Sequence, residues 1–369
     1  MALPKKKPVI EKPEFNIKDL RSELGLTDQN VAEKELEWIP FKKAYFDALG
    51  VPGVARGYST QFRGFSDTGK STAIYETITG AQKLGDFVVI IDTEGNFNWE
   101  HAGEVGFKFD VEYDKSDVDK EYPNYTGDFL FVGNKDLLEM FQYFDYDSGK
   151  KSATPLRFVP VIEDVAKLMN TILDKQAKGE LQRNITFVWD SIGSISCFKS
   201  AVSNTNNNMW NAGALKRSFE SILNFRIPAS RRIYSPYINT FVSVQKIWLQ
   251  QNPGGQPTVM QSGGDGFKYG VRMIVHMGGK TTSGNTKLKA TNKGRDYQFG
   301  VQVKIECVKN HINGIERKGE ICSTPHGFVN PAELNDYKKD KIDFINAKLG
   351  TSFEDFEIVK MEPEERDLD

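Results

Sequence analysis

The chain has 369 residues, of which 39% are hydrophobic and 27% charged, and its formal net charge is −2. That length holds one large core with smaller appendages, and nowhere do 18 apolar residues run together to cross a membrane as a helix. The near-neutral balance excludes a nucleic-acid surface spread over the whole molecule, so any such surface is local.

Residues 1–16, rich in Pro and Lys, read as an extended arm without the apolar stretch of a secretory signal. Over 15–26, Ile17, Leu20, Leu24 and Leu26 fall near one face of a short helix that Asn16 can cap. A second helix is expected over 38–50, ending at Gly50. It is followed by a strand over 59–63, a Gly-rich loop over 64–71 and a helix to about Leu84. DFVVIIDTEG (86–95) is a short, nearly all-apolar run ending in acids, the pattern of a buried parallel strand. Residues 106–128 are polar and acid-biased, and FLFV (129–132) is a further strand. The stretch 136–157, with the aromatic-rich LLEMFQYFDYD and the polar SGKKSATP, precedes a helix at about 161–178. NITFVWDSIGS (184–194) is another buried strand, closing on Asp190 and Ser191. A helix over 211–225 leads to INTFVSVQ (238–245), a strand ending in Gln245. Residues 246–267 form a Gly/Gln/Asn-rich segment expected to be a mobile loop. VRMIVHM (271–277) and YQFGVQVKIECVKN (297–310) are late strands, and the chain closes on an acidic tail. Strands alternating with helices make an α/β fold with a largely parallel sheet. Cys197, Cys307 and Cys322 lack paired or metal-ligand spacing and fit a reducing compartment, and the four histidines give no zinc site.

Gly64-Phe65-Ser66-Asp67-Thr68-Gly69-Lys70-Ser71 matches GxxxxGK[ST], with Thr72 next in line. The glycines of such a P-loop let backbone N–H groups converge on phosphate oxygens at the positive end of the following helix. Lys70 would reach the β- and γ-phosphates of ATP, and the Ser71 hydroxyl would ligate Mg²⁺. Asp190, at the end of a buried strand, suits the carboxylate that orients the Mg²⁺ shell. Glu94 ends the strand after the P-loop helix, where a carboxylate can polarise the water attacking the γ-phosphate; a lone acid there is more often a solvated loop residue. Gln245 closes a further strand, so its amide can report the γ-phosphate to the segment behind it.

In chain order these segments resemble the RecA-family recombinases, bacterial RecA and phage UvsX-like proteins, over roughly residues 38–325. WIPFKKAYFDALGVPGVARGYSTQFRGFSDTGKST resembles the family's lead-in to the P-loop. IIDTEG resembles the segment carrying the catalytic glutamate, FVWDSIGSI the one carrying the metal-orienting Asp and Ser, and FVSVQKI the one whose Gln couples ATP to DNA. SGGDGFKYGVRMIV (262–275) resembles the end of the second DNA-binding loop, which carries over Gly263, Gly264, Phe267 and Arg272. VKIECVKNHING (303–314) resembles the segment whose two lysines reach a neighbouring subunit's ATP. Lys309 fits the first, and His311 stands at the second. The adenine-stacking position falls near 98–101, where Trp99 and His101 both qualify.

The resemblance implies a RecA-like P-loop NTPase core over 38–325. Residues 1–37 become an N-terminal arm with an oligomerisation helix, and 326–369 a small C-terminal extension with the acidic tail. It implies a DNA-dependent ATPase using ATP and Mg²⁺, partnered by single- and double-stranded DNA and by its own copies in a helical filament. No membrane enters, and the setting is the bacterial cytosol, a phage-infected host included. The first DNA loop would lie within 199–214, Asn-rich and poor in cations, with Lys216 and Arg217 on the next helix supplying charge. The second offers Lys246, Trp248, Phe267, Lys268 and Arg272, with Gln250, Gln251 and Gln256 as donors. A ring-forming RecA-like helicase motor and a non-hydrolysing recombination mediator are the alternatives.

Overall fold

Short runs of β-branched and aromatic residues become the middle of the molecule. The computed structural model describes residues 16–25, 32–114, 122–205, 207–250, 258–261, 264–279 and 284–361. Ser59–Gly64 (β1), Phe87–Asp92 (β2), Phe129–Gly133 (β3), Ile185–Ile192 (β4), Asn239–Gln250 (β5) and Met273–Met277 (β6) lie parallel in the spatial order β6-β1-β5-β4-β2-β3. β2 and most of β4 are apolar because helices cover both faces of the sheet. On one face, Lys70–Lys83 (α1) packs Ala73, Ile74 and Ile78 against Phe62, Val88, Ile90, Val188, Val242 and Val244, with the short helix Trp99–Val105 (α2) beside it. On the other, Ile162–Ala177 (α3) and Asn208–Ser221 (α4) bury Val165, Met169, Leu215 and Phe219 against Val89, Phe187, Trp189 and Phe241.

Beyond β6 the sheet turns antiparallel. Asn285–Asn292 (β7), Arg295–Asn310 (β8), Lys318–Thr324 (β9), Gly327–Val329 (β10) and Glu357–Met361 (β11) extend it, with β8-β9-β10 in line and β7 joining β8 to β11. The boundary expected at 325/326 therefore falls inside the β9–β10 hairpin. Leu334, Tyr337, Ile345 and Phe356 pack with Leu288, Phe299 and Cys322, so residues 326–361 complete the sheet rather than stand apart from it.

Four other differences from expectation have local causes. The helix expected over 38–50 begins as a strand, Trp38–Pro40, paired with Gly53–Ala55; Pro40 lies on this rim, and the helix spans only Lys43–Leu49 before Gly50 turns left-handed. The acid-biased 106–128 stretch carries a hairpin of Asp110–Asp114 with Tyr122–Thr126, held by Tyr125 stacked on Trp99 at 4.3 Å. The 136–157 stretch holds most of a helix, Asn134–Phe141, and a small hairpin. A buried Arg157–Asp164 ion pair, with the Tyr146 hydroxyl donating to Asp164 at 2.7 Å, fixes it to α3. Gln245 does not end its strand: β5 continues to Gln250 and pairs with Thr258–Gln261, because Ile247 is buried between exposed Lys246 and Trp248 and so keeps the period-2 pattern.

The N-terminal helix spans Ile17–Glu23, with Asn16 capping it, and buries none of its own residues. The arm over 1–15, Leu26, Gln251, Gln256, Gly263 and the tail from 362 lie outside the described residues.

Candidate nucleotide site and adjoining groove

The loop of 64–69 connects the C-terminal end of β1 to the N-terminus of α1, so its backbone amides converge at a helix dipole's positive end. Two positions require glycine. A Cβ on Gly64 would strike the Met277 carbonyl, and Gly69 sits at φ +83° against Ser323. Thr68 Oγ1 donates to the Phe65 carbonyl at 2.9 Å, and Lys70 Nζ donates to the same oxygen. Ser66, Asp67 and Ser71 are exposed at the mouth. Thr72 is different: its buried hydroxyl hydrogen-bonds Ser323 Oγ at 2.7 Å and so ties α1 to β9.

Asp190 and Asp92 sit side by side at the ends of β4 and β2. Burial, then the charges of Glu94 and Asp92, push the Asp190 carboxyl up to about 7, against the pull of Lys70 and Lys246. Burial brings Lys70 down to about 8, although Asp190, Glu94 and Asp67 favour its charge; Lys246 opposes it. The cluster is thus a set of interacting charges under the P-loop, poised near neutrality. Ser191 Oγ donates to Glu94 Oε1, and Glu94 N donates to Asp92 Oδ1 at 3.0 Å and to the Asp190 carbonyl at 3.3 Å. Among the described residues no group of three or more His, Cys, Asp or Glu forms a metal cage. Mg²⁺ keeps several waters and takes phosphate oxygens, so a hydroxyl and a carboxylate such as Ser71 and Asp190 fit its needs.

Trp99 and His101 part company. Trp99 is enclosed by Phe109, Tyr125, Phe129 and Phe131, whereas His101 lies on Tyr75 of α1 at 4.6 Å with Nε2 3.1 Å from the Thr324 carbonyl oxygen. The structure therefore brings His101 to the nucleotide-helix side and makes Trp99 an anchor for the 110–126 hairpin.

Above the strand ends lies a groove of about 960 Å³. Both expected DNA loops line it: Asn204, Asn208 and Met209 from one, Trp248, Met260 and Gln261 from the other, with Thr93 also in its wall. Met209 is 82% and Trp248 39% exposed. None of the described lining residues is Lys or Arg; exposed Lys216 and Arg217 stand on α4. Phe267 is a correction to the expected base contact. It is buried edge-on against Phe219 and Phe241, because the helix Gly264–Gly270 turns it into the core. Lys309 likewise serves its own chain here: its amine donates to the carbonyls of Lys268 (2.9 Å) and Val271 (2.6 Å) at that helix's end, beside half-buried Arg272. His311 is exposed, its backbone N–H donating to the Arg272 carbonyl at 2.9 Å.

Gln245 is buried between β1 and β4, in register with Arg63 and Ile192. Two residues escaped the sequence reading. Asp92 accepts from the amides of Glu94, Gly95 and Phe97 and so shapes the loop that presents Glu94; an acid closing a strand three residues before a Gly was the available signal. Asn285 donates to the Asp67 carbonyl at 2.7 Å and steadies the P-loop from β7, for which the sequence offered no signal.

No protein-family model matches the chain. Among curated proteins it is similar to a plasmid RecA protein of Lactococcus lactis subsp. lactis, 23% identical over 277 residues, which is 73% of this chain and 79% of the relative. Shorter stretches match RecA proteins of Laribacter hongkongensis (38% over 63 residues, 17% of this chain and 18% of the relative) and Streptomyces rimosus (34% over 81 residues, 22% of each). The similarity, with the mixed α/β core and its mostly parallel sheet, supports a RecA-like chain without separating bacterial RecA from phage-type relatives.

Proposed function

We propose that the chain is an ATP-dependent recombinase that assembles as a filament on single-stranded DNA, pairs it with homologous duplex and hydrolyses ATP when DNA is bound. The observation that carries this reading is the Thr93–Glu94 step. Thr93 lines the groove between the two expected DNA loops, and the next residue is the carboxylate aimed at the P-loop cluster. Occupancy of one site is felt at the other through a single peptide unit and the hydrogen bonds of Thr93 Oγ1 to Ser194 Oγ (2.6 Å) and from Trp189 Nε1 (2.9 Å).

In this reading the P-loop amides and Lys70 hold the phosphates. Ser71 and Asp190 would hold Mg²⁺, which when bound would neutralise phosphate charge. Glu94 takes the proton of the attacking water. Asn-rich and aromatic groove walls suit stacking and hydrogen bonding to bases, with Lys216, Arg217, Lys268 and Arg272 tracking phosphates. The exposed apolar face of Ile17, Leu20 and Leu24 is available to a neighbouring copy.

Electron microscopy with single-stranded DNA and a slowly hydrolysed ATP analogue tests the whole reading. Continuous helical filaments are expected, and they should vanish with Lys70→Ala. Closed rings would favour a helicase motor, and bare DNA with monomers a mediator. Trp248→Ala is expected to weaken single-stranded DNA binding about tenfold, the loss of one base-stacking platform. Fluorescence anisotropy with a labelled oligonucleotide measures it, and wild-type affinity would remove Trp248 from the interface.

A further inference from the structure

Residues of three strands and the P-loop meet on one face of the sheet. Val242 and Val244 of β5 are buried with the residues of α1, whereas Phe241 packs on the opposite face. Strand pairing between β5 and β1 runs without a register shift from Phe241 to Lys246, which stands opposite Gly64, the first residue of the P-loop. Period-2 alternation therefore turns Lys246 to the α1 side, next to the loop, and Gln245 away from it. By the same parity Val88 and Ile90 carry Asp92, and Val188 carries Asp190, onto that face. Lys246 stands opposite Gly64 and Asp190 opposite Asp92, and the pairing of β4 with β5, Trp189 on Ser243 before a shift to Ile192 on Gln245, sets Lys246 further along its strand than Asp190. Lys246 is solvent-exposed, and its charge is felt by both Lys70 and Asp190.

We propose that Lys246 is a second cation of the nucleotide site, contacting the terminal phosphate of a nucleoside triphosphate from within the same chain. This deepens, and rests on, the reading of the P-loop as an ATP site. Four carboxylates, Asp67, Asp92, Glu94 and Asp190, crowd the place where a polyanion would end, and Lys70 alone opposes them on the loop. Lys246 lies on the strand between those of the P-loop entry and Asp190 and further along it than Asp190, at the β/γ end of the phosphate chain if Asp190 orients Mg²⁺ there. A diphosphate lacks the group Lys246 would hold, so this lysine favours ATP over ADP. Two residues further along the same strand comes Trp248 in the groove wall. A phosphate that fixes Lys246 thereby fixes the strand that presents Trp248. Sequence alone placed Lys246 among the DNA contacts; its side of the sheet argues for the nucleotide.

The test is nucleotide binding by the full chain with Mg²⁺ and no DNA, using competition between a fluorescent nucleotide and either ADP or a slowly hydrolysed ATP analogue. Lys246→Met should weaken the triphosphate roughly tenfold, the usual scale for one charge-assisted contact, and leave ADP within about twofold. Lys246→Arg should retain most of the discrimination. If Lys246→Met binds both nucleotides as wild type does and loses only oligonucleotide affinity, with a shallower salt dependence, Lys246 is a DNA contact and the proposal fails. Equal loss for both nucleotides would also overturn it, since terminal-phosphate recognition must discriminate. Failure of the underlying reading looks different: wild type would bind neither nucleotide, or Lys70→Ala would bind both unchanged.

Discussion

Glu94→Gln is expected to lower DNA-stimulated ATP turnover by about a hundred- to a thousand-fold, the usual contribution of a positioned general base, while ATP binding stays near wild type. The substitution suits the site because an amide keeps an acceptor oxygen for Ser191 Oγ and leaves the backbone bonds to Asp92 and Asp190 untouched. It removes only the capacity to take a proton, together with one of the charges that raise Asp190. Filaments should therefore form with ATP itself and persist, since the step that returns the groove to its weak-binding state is gone. Phosphate release measured beside nucleotide binding separates the two effects. Turnover within tenfold of wild type would mean that another group activates the water. A wild-type chain that binds ATP yet shows no DNA-stimulated turnover would instead favour the mediator reading.

The sequence made the site's skeleton legible because its elements are local. Gly64 to Ser71 is a contiguous motif whose glycines answer to backbone geometry, and β2 and β4 are apolar runs that can only be buried. What it hid were choices made by tertiary contacts. Residues after Gln245 look like a polar loop, yet one buried Ile247 and a returning strand extend β5 to Gln250. Phe267 carries the composition of a base-stacking residue, but Phe219 and Phe241, distant in sequence, make it core. Lys309 is a free cation on paper and a helix cap in space. The acid-biased 106–128 stretch gives little strand signal because its hairpin is fixed by aromatic stacking on Trp99 rather than by its own alternation. Lys246 needed two facts together, strand parity and the side on which α1 lies, and sequence periodicity supplies at most the first.

Asp190→Asn should abolish measurable hydrolysis and, in the nucleotide-free protein, raise stability in alkaline solution. The sign follows from the direction of the shift. An aspartate with an ordinary value of 3.8 stands at about 7 in the fold, so folding favours the protonated acid. That contribution is complete below about pH 4, declines as pH rises and is lost by about pH 7 to 8, where the carboxylate is ionised in both states and the fold bears the cost of holding it. Asparagine carries no such cost. The full shift corresponds to about 4 kcal/mol. Because the carboxyl meets the mouth of the site and is partly open to solvent, roughly 1–3 kcal/mol is expected at pH 8, shrinking as pH falls from 7 towards 4. Thermal unfolding of both proteins across that range measures it. Adding Mg²⁺ with the slowly hydrolysed analogue should reverse the order, because a bound cation favours the ionised carboxylate that asparagine lacks. An Asn variant less stable than wild type at pH 8 without nucleotide would show that fixed protein contacts, rather than the absent phosphate and metal, already satisfy Asp190. Its burial among Glu94 and Asp92 would then belong to folding instead of to function.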